Sequence, residues 1–250
     1  MDRLFFKRLC KNRAFWITIF ILFFLLTNFL LQVVAKNGLN LNHSRKEVKM
    51  IGNGEEVVRG NKNKKQIIFT FDGGGTTASA DKILEVLKKH KVKGTFFMTG
   101  QMVKEHPDFI KKIVAEDYEI FNHSYNHPYL TEVSDEKIKE ELQKMDGVLF
   151  STAKVHSKPF FRPPFGDRDE RVLRVAKSLG YQSIYWTVDA MDWQEWETDE
   201  TVKKRILNSL DNGNIYLMHV GDKITGNILD EVFTEIEDRG YKIVSLTEGI

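Results

Sequence analysis

Apolar residues in this chain fall into two repeating patterns. Short runs rich in Ile, Val, Phe and Tyr recur at 66–71 (QIIFTF), 94–99 (GTFFMT), 118–123 (YEIFNH), 158–163 (KPFFRP), 182–189 (QSIYWTVD), 214–219 (NIYLMH) and 241–246 (YKIVSL). Their length and their β-branched and aromatic content predict strands. Between them, apolar residues recur three and four apart. Ile138, Leu142, Met145 and Leu149 form one such stripe, and Val172, Val175, Ala176 and Leu179 another. That spacing is the helical period. About seven strands alternating with helices predict an α/β protein built on a parallel sheet. A closed barrel and a doubly wound open sheet both satisfy the pattern.

Residues 14–35 break it. AFWITIFILFFLLTNFLLQVVA has no charged side chain, and at the helical rise it would span about 33 Å, close to a bilayer core. Arg3, Lys7, Arg8, Lys11 and Arg13 precede it, against the single acid Asp2. The positive-inside rule then predicts a cytoplasmic tail (1–13), a single-pass membrane anchor (14–35) and an exported remainder. The rival reading is a signal peptide cleaved near Ala35, releasing a secreted protein, although such apolar regions are normally shorter. Residues 36–65 are polar and rich in Lys, Asn and Gly, and are expected to be a tether or an irregular lead-in. Residues 66–250 hold the strands and helices.

Charge supports this division. The chain carries 37 basic and 35 acidic residues. Without residues 1–35, 32 basic and 34 acidic residues remain, so the exported part is slightly acidic and has no nucleic-acid footprint. The only cysteine, Cys10, precedes the anchor, which excludes disulfides and thiol nucleophiles from the exported part.

Candidate chemistry collects where the strands end. Asp72, His123, Arg162, Asp189 and His219 each close a different predicted strand, and in β/α barrels that edge gathers catalytic groups. In NHSYNHP, His123 and His127 stand four apart beside a turn, a spacing that lets two imidazoles clasp one ion such as zinc. Arg162, in FFRPPFG, wants a carboxylate partner. TVDAMDW supplies carboxylates able to orient a histidine, and Trp193, which can stack on a sugar face. His219 suits a general acid, because its charge switches near neutrality.

Taken in order, TFDGG, HSYNH, RPPFG, DAMDW and LMH resemble the motifs of the polysaccharide deacetylases, carbohydrate esterase family four. The resemblance runs from residue 66 to 250 and extends to the flanking VKGTFFMTG and GYKIVSLTE. It implies a distorted (β/α) barrel and metal-assisted removal of acetyl groups from N-acetylated sugars, with zinc, or else cobalt, as cofactor. By motif, Asp72 matches the catalytic base, and His123 and His127 match the metal ligands. Arg162 matches the residue that orients the base, and the Phe165 backbone helps hold the oxyanion. Asp189 matches the partner of the acid His219. Trp193 and Leu217 match the walls around the acetyl group.

One position departs from the family. A second aspartate, a metal ligand, normally follows the base, and here Gly73 stands in its place. The next acid, Asp81, is expected inside the first helix. Two readings follow. One is a membrane-anchored deacetylase of cell-wall glycan, with peptidoglycan N-acetylglucosamine as default substrate and N-acetylmuramic acid open. The other is a degenerate barrel that binds glycan or assists other wall proteins without turnover.

Overall fold

The computed structural model describes residues 56–250. The expected cytoplasmic tail and the 14–35 anchor lie outside the described residues, and no helix among the described residues is long and apolar enough to cross a membrane.

Among the described residues, nine strands form one parallel sheet. In chain order they are β1 (Glu56–Val57), β2 (Gln66–Gly73), β3 (Thr95–Met98), β4 (Glu119–Asn122), β5 (Phe160–Phe161), β6 (Gln182–Ile184), β7 (Val188–Asp189), β8 (Ile215–His219) and β9 (Lys242–Val244). The ladder runs β1-β6-β5-β4-β3-β2-β8-β7, and β9 pairs with the start of β2. The eight α-helices among the described residues are α1 (Ala80–His90), α2 (Gly100–Glu105), α3 (Pro107–Ala115), α4 (Asp135–Ala153), α5 (Glu170–Ser178), α6 (Asp199–Asn208), α7 (Lys223–Asp238) and α8 (Leu246–Gly249).

All seven predicted strands are present. QSIYWTVD, expected as one strand, breaks into β6 and β7. Since β6 lies at one side of the ladder and β7 ends the other, residues 185–187 carry the chain across the gap and the sheet curls into a distorted barrel. The expected tether also differs: Glu56 and Val57 pair with Ser183 and Ile184. The Glu56 carboxylate takes Arg168 in two bonds, 2.7 and 3.0 Å, and this buried pair stitches the lead-in to the domain.

Alternation along the strands sorts the core. On β2, Ile67, Phe69 and Phe71 face the helices in the main apolar cluster. Ile68 joins Phe97, Phe121, Phe160, Ile184 and Ile215 in a second cluster. Thr70 and Asp72 follow Ile68 at period two, and both bond Arg162. The stripe Ile138, Leu142 on α4 meets Val172, Val175 and Ala176 of α5 in a third cluster. Helix starts are fixed by side-chain caps: Ser134 accepts from Lys137 N–H, Asp169 from Val172 N–H and Thr198 from Thr201 N–H. Each such cap stabilises by about 1 kcal/mol.

Candidate active site

The parallel register sets β2 and β8 side by side, pairing Asp72 with His219. The strand-end polar residues therefore converge on one cavity of about 330 Å³, lined by Asp72, His123, His127, Phe165, Trp186, Asp189, Trp193, Leu217 and His219. Every residue expected at the site lines it except Arg162, which lies beneath.

Arg162 is fully buried. Its Nη1 donates to Asp72 Oδ1 at 2.7 Å and to Thr70 Oγ1 at 2.8 Å. Its Nε and Nη2 donate to the carbonyls of Ile184 and Tyr185, both at 3.2 Å. The guanidinium also lies 4.2 Å from the Phe97 ring centroid. Burial pushes its pKa down, and the charge of Asp72 pulls it back up. Breaking such a pair by removing one partner leaves an uncompensated buried charge, at a cost of about 3–5 kcal/mol.

His123 and His127 meet as expected. Their Nε2 atoms are 3.1 Å apart. His123 Nδ1 lies 2.9 Å from the Arg162 carbonyl oxygen. A carbonyl only accepts, so Nδ1 carries the proton and Nε2 keeps its lone pair. Burial lowers the pKa of His123. Burial, then the neighbouring His123, lowers that of His127 to about 3. Two neutral imidazoles with their Nε2 atoms side by side are a donor set that fits zinc or a similar cation at two coordination positions. Asp72 Oδ2 is 3.5 Å from His123 Nε2, and its other oxygen is committed to Arg162.

The space beside Gly73 is filled. A Cβ there would stand 2.5 Å from Met98 Sδ and 2.9 Å from Met98 Cε. The buried thioether occupies the room a larger residue would need. Asp81, the next acid, pairs instead with Lys112 at 2.8 Å on an exposed face.

His219 corrects one expectation. Its Nδ1 bonds Asp192 Oδ1 at 2.9 Å, not Asp189. Asp192 is buried, and its Oδ2 accepts from the His219 backbone N–H at 2.7 Å and from the Thr225 hydroxyl. Asp189 accepts from Met191 N–H at 2.8 Å and from Trp193, so it braces the loop that carries Asp192. DAMDW offers two carboxylates three apart, with a left-handed turn at Met191 (φ 62°) between them. Burial opposes charge on His219, but Asp192, then Asp72 and Asp189, raise its pKa to about 9. Asp192, His219 and Asp222 are close enough to surround an ion. A protonated ring already donating to Asp192 is, however, an acid held by its partner and not a metal ligand.

Phe165 stands at φ 56° in the turn after Pro164, half-exposed, stacked on Tyr129 at 4.2 Å and edge-on to His127 at 4.3 Å. Tyr129 was not foreseen, because its only signal is position after HP. Trp193 is also half-exposed, and Leu217 is buried in the wall.

The model of the polysaccharide deacetylase family matches residues 59–184. The chain belongs to this family. It is 35% identical over 191 residues to the peptidoglycan-N-acetylmuramic acid deacetylase PdaA of Bacillus subtilis, covering 76% of this chain and 73% of that one. A peptidoglycan-N-acetylglucosamine deacetylase of Bacillus cereus is 32% identical over 188 residues, covering 74% and 68%. The solved structure of PdaA superposes with a TM-score of 0.74 at 34% identity, covering 78% of this chain and 84% of PdaA. A family-four pseudoenzyme from Bacillus anthracis superposes equally well, with a TM-score of 0.74 at 34% identity, covering 79% and 69%. A mutant of that pseudoenzyme is described as having restored enzymatic activity. Polysaccharide deacetylases are hydrolases of amide bonds, and the family thus also contains barrels without turnover. Asp192 and His219 lie beyond the matched segment, so their pairing rests on the structure.

Proposed function

We propose that this polysaccharide deacetylase is a metal-dependent N-deacetylase that removes acetyl from an N-acetylated sugar of peptidoglycan. One observation carries the reading: Asp72, held by the buried Arg162, and His219, held by the buried Asp192, line the same cavity as His123 and His127.

Each residue then has a task. Asp72, oriented by Arg162, takes the proton of the attacking water as the water oxygen bonds the acetyl carbonyl carbon. The Phe165 N–H is the donor for the oxyanion that develops. His219, an imidazolium at neutral pH, gives its Nε2 proton to the sugar nitrogen as the C–N bond breaks. Acetate and a free amine leave. Asp192 holds the ring and stabilises its charge. Leu217 and Trp193 wall the acetyl methyl. His123 and His127 would hold the divalent cation, zinc or cobalt, with waters completing its shell, and a bound cation supplies Lewis-acid polarisation of the carbonyl.

The test is acetate release from N-acetylglucosamine- and N-acetylmuramic acid-containing glycan with added zinc or cobalt. Asp72→Asn keeps size and polarity but loses the proton acceptor, and the rate should fall by about 10²- to 10⁴-fold. Gly73 and the pseudoenzyme neighbour favour a second reading, glycan binding without turnover. That reading prevails if wild type and variant both release nothing while glycan binding persists. For location we propose a single-pass anchor at 14–35 that presents the barrel to the wall from the outer face of the membrane, on the strength of the uncharged run and its basic flank.

A further inference from the structure

We propose that Glu141 is a positioning residue for the cation site: from α4 it locks the loop between the two histidines, so that His127 meets His123 before any ion arrives. The proposal rests on the reading of His123 and His127 as the cation ligands.

The loop at 124–127 needs external support. Ser124 and His127 are both in the left-handed region, at φ 62° and 60°, a conformation costly for residues with a side chain. None of its four backbone N–H groups bonds within a helix or strand, and each is answered by a side chain. Ser124 N–H donates to Asn122 Oδ1 at 2.9 Å, and His127 N–H to Ser124 Oγ at 3.0 Å. The two between them go to one carboxylate. Tyr125 N–H donates to Glu141 Oε2 at 3.0 Å, and Asn126 N–H to the same oxygen at 2.6 Å. The Asn126 side-chain amide donates to Oε1 at 2.7 Å. From the opposite side, Gly100 and Gln101 at the start of α2 donate to the carbonyls of Ser124 and Tyr125, at 2.9 and 3.1 Å.

Glu141 is fully buried, an unusual place for a carboxylate on an amphipathic helix. Burial works against its charge, but the Asn126 bonds and Lys137, whose Nζ is 3.2 Å away, hold its pKa low. A buried anion spent on two loop amides is more than helix packing requires. Position 141 lies three residues after Ile138, on the apolar stripe, where a leucine would serve packing alone. In a site with glycine at 73, fewer protein ligands share the cation, so more of the affinity depends on the histidines being pre-set.

The experiment compares wild type, Glu141→Gln and a control, Glu119→Gln, in the full chain. Glu119 is also buried, but it accepts from Thr95 Oγ1 at 2.7 Å and from the backbone N–H groups of Leu246 and Thr247, which begin α8. Glutamine keeps the shape of both residues and removes the charge. The readouts are zinc affinity, by competition with a chromophoric chelator, and Tm. Loss of a partner bonded directly to a metal ligand typically weakens binding by about 10- to 100-fold, and Glu141, acting through the amides of Tyr125 and Asn126, should fall near the lower end of that range. We expect that loss in Glu141→Gln and none in Glu119→Gln, whatever each does to Tm. Amide exchange at 125–126 should also quicken in Glu141→Gln without zinc. Equal zinc affinity in wild type and Glu141→Gln overturns the positioning role alone. Equal weakening by both variants overturns it too, since loss of stability would then explain the effect. A wild type that binds no zinc overturns the cation reading and this role with it.

Discussion

Replacing Asp192 by asparagine should strip His219 of its acid character. The ring is three-quarters buried, with its side chain 27% exposed, and burial alone would lower its pKa. The Asp192 hydrogen bond and charge, with Asp72 and Asp189 beyond, raise it to about 9. The gap between about 9 and the ordinary 6.5 corresponds to about 3 kcal/mol in favour of the imidazolium. Asp192→Asn keeps an oxygen for hydrogen bonding but removes the charge, so the imidazole should return towards its ordinary value. Proton NMR titration of the His219 Cε1–H, identified by its loss in His219→Gln, reads this directly and needs no turnover. Where acetate release is measurable, its alkaline limb should move down in pH with the NMR value. Stability must follow the same sign. A pKa raised by folding stabilises fully below the unfolded value of about 6.5, and that contribution is lost as pH rises through about 9. The stability gap between wild type and Asp192→Asn should therefore be widest near pH 6 and shrink towards pH 10. Asp189 makes no bond to the ring, so Asp189→Asn should shift it less. A wild-type His219 that titrates near 6.5, or a larger shift in Asp189→Asn than in Asp192→Asn, would refute the assignment.

Two further outcomes follow from the glycine and from the apolar run. Gly73→Asp sets a Cβ against the Met98 thioether, so its zinc affinity should improve markedly only when Met98→Val clears the space. Chelator competition on the single and double variants checks this, and equal affinities would count against a steric block. Full-length protein should sediment with membranes and carry a C-terminal reporter on the outer face, whereas release of a soluble form starting near Lys36 would overturn the anchor.

The strands were legible because both faces of a parallel sheet are buried, which makes each strand a continuous apolar run. QIIFTF reads clearly for that reason, and all eight residues of β2 are buried. The break after Ile184 was not legible. Tyr185, Trp186 and Thr187 continue the β-type run, but the carbonyls of Ile184 and Tyr185 turn to Arg162 instead. Glu56 and Val57 were missed because a two-residue strand carries no periodicity. Its evidence lies in distant partners, Ser183 and Arg168. The site residues were legible as a set because strand ends converge in three dimensions. Which of Asp189 and Asp192 faces His219 was not, since that depends on the loop's fold and on distant partners such as Thr225. Glu141 left a faint trace, a carboxylate on an apolar stripe, which the helical period alone could have flagged.

The cost of the buried charges bears on whether the site turns over. Replacing a buried ion pair by apolar groups of similar volume is often neutral or stabilising, so folding alone does not call for Arg162 and Asp72 at the barrel's mouth. Nor does it call for Asp192, buried with one oxygen on the His219 ring and the other on the His219 backbone N–H. A binding surface for a neutral glycan needs aromatic faces and hydrogen-bond donors, which Phe165, Tyr129 and Trp193 already offer. It needs neither a carboxylate bonded to a buried guanidinium nor an imidazole bonded to a buried aspartate. A proton acceptor and a proton donor on one cavity are what proton transfer from water to a leaving amine requires. The missing carboxylate at 73 bears on a different quantity, how tightly the cation is held. On the proposed reading, the chain has a proton acceptor and a proton donor in place, and its cation site would lean on two histidines and the loop that sets them. Activity that rises with added zinc and falls with Asp72→Asn is the behaviour such a site predicts.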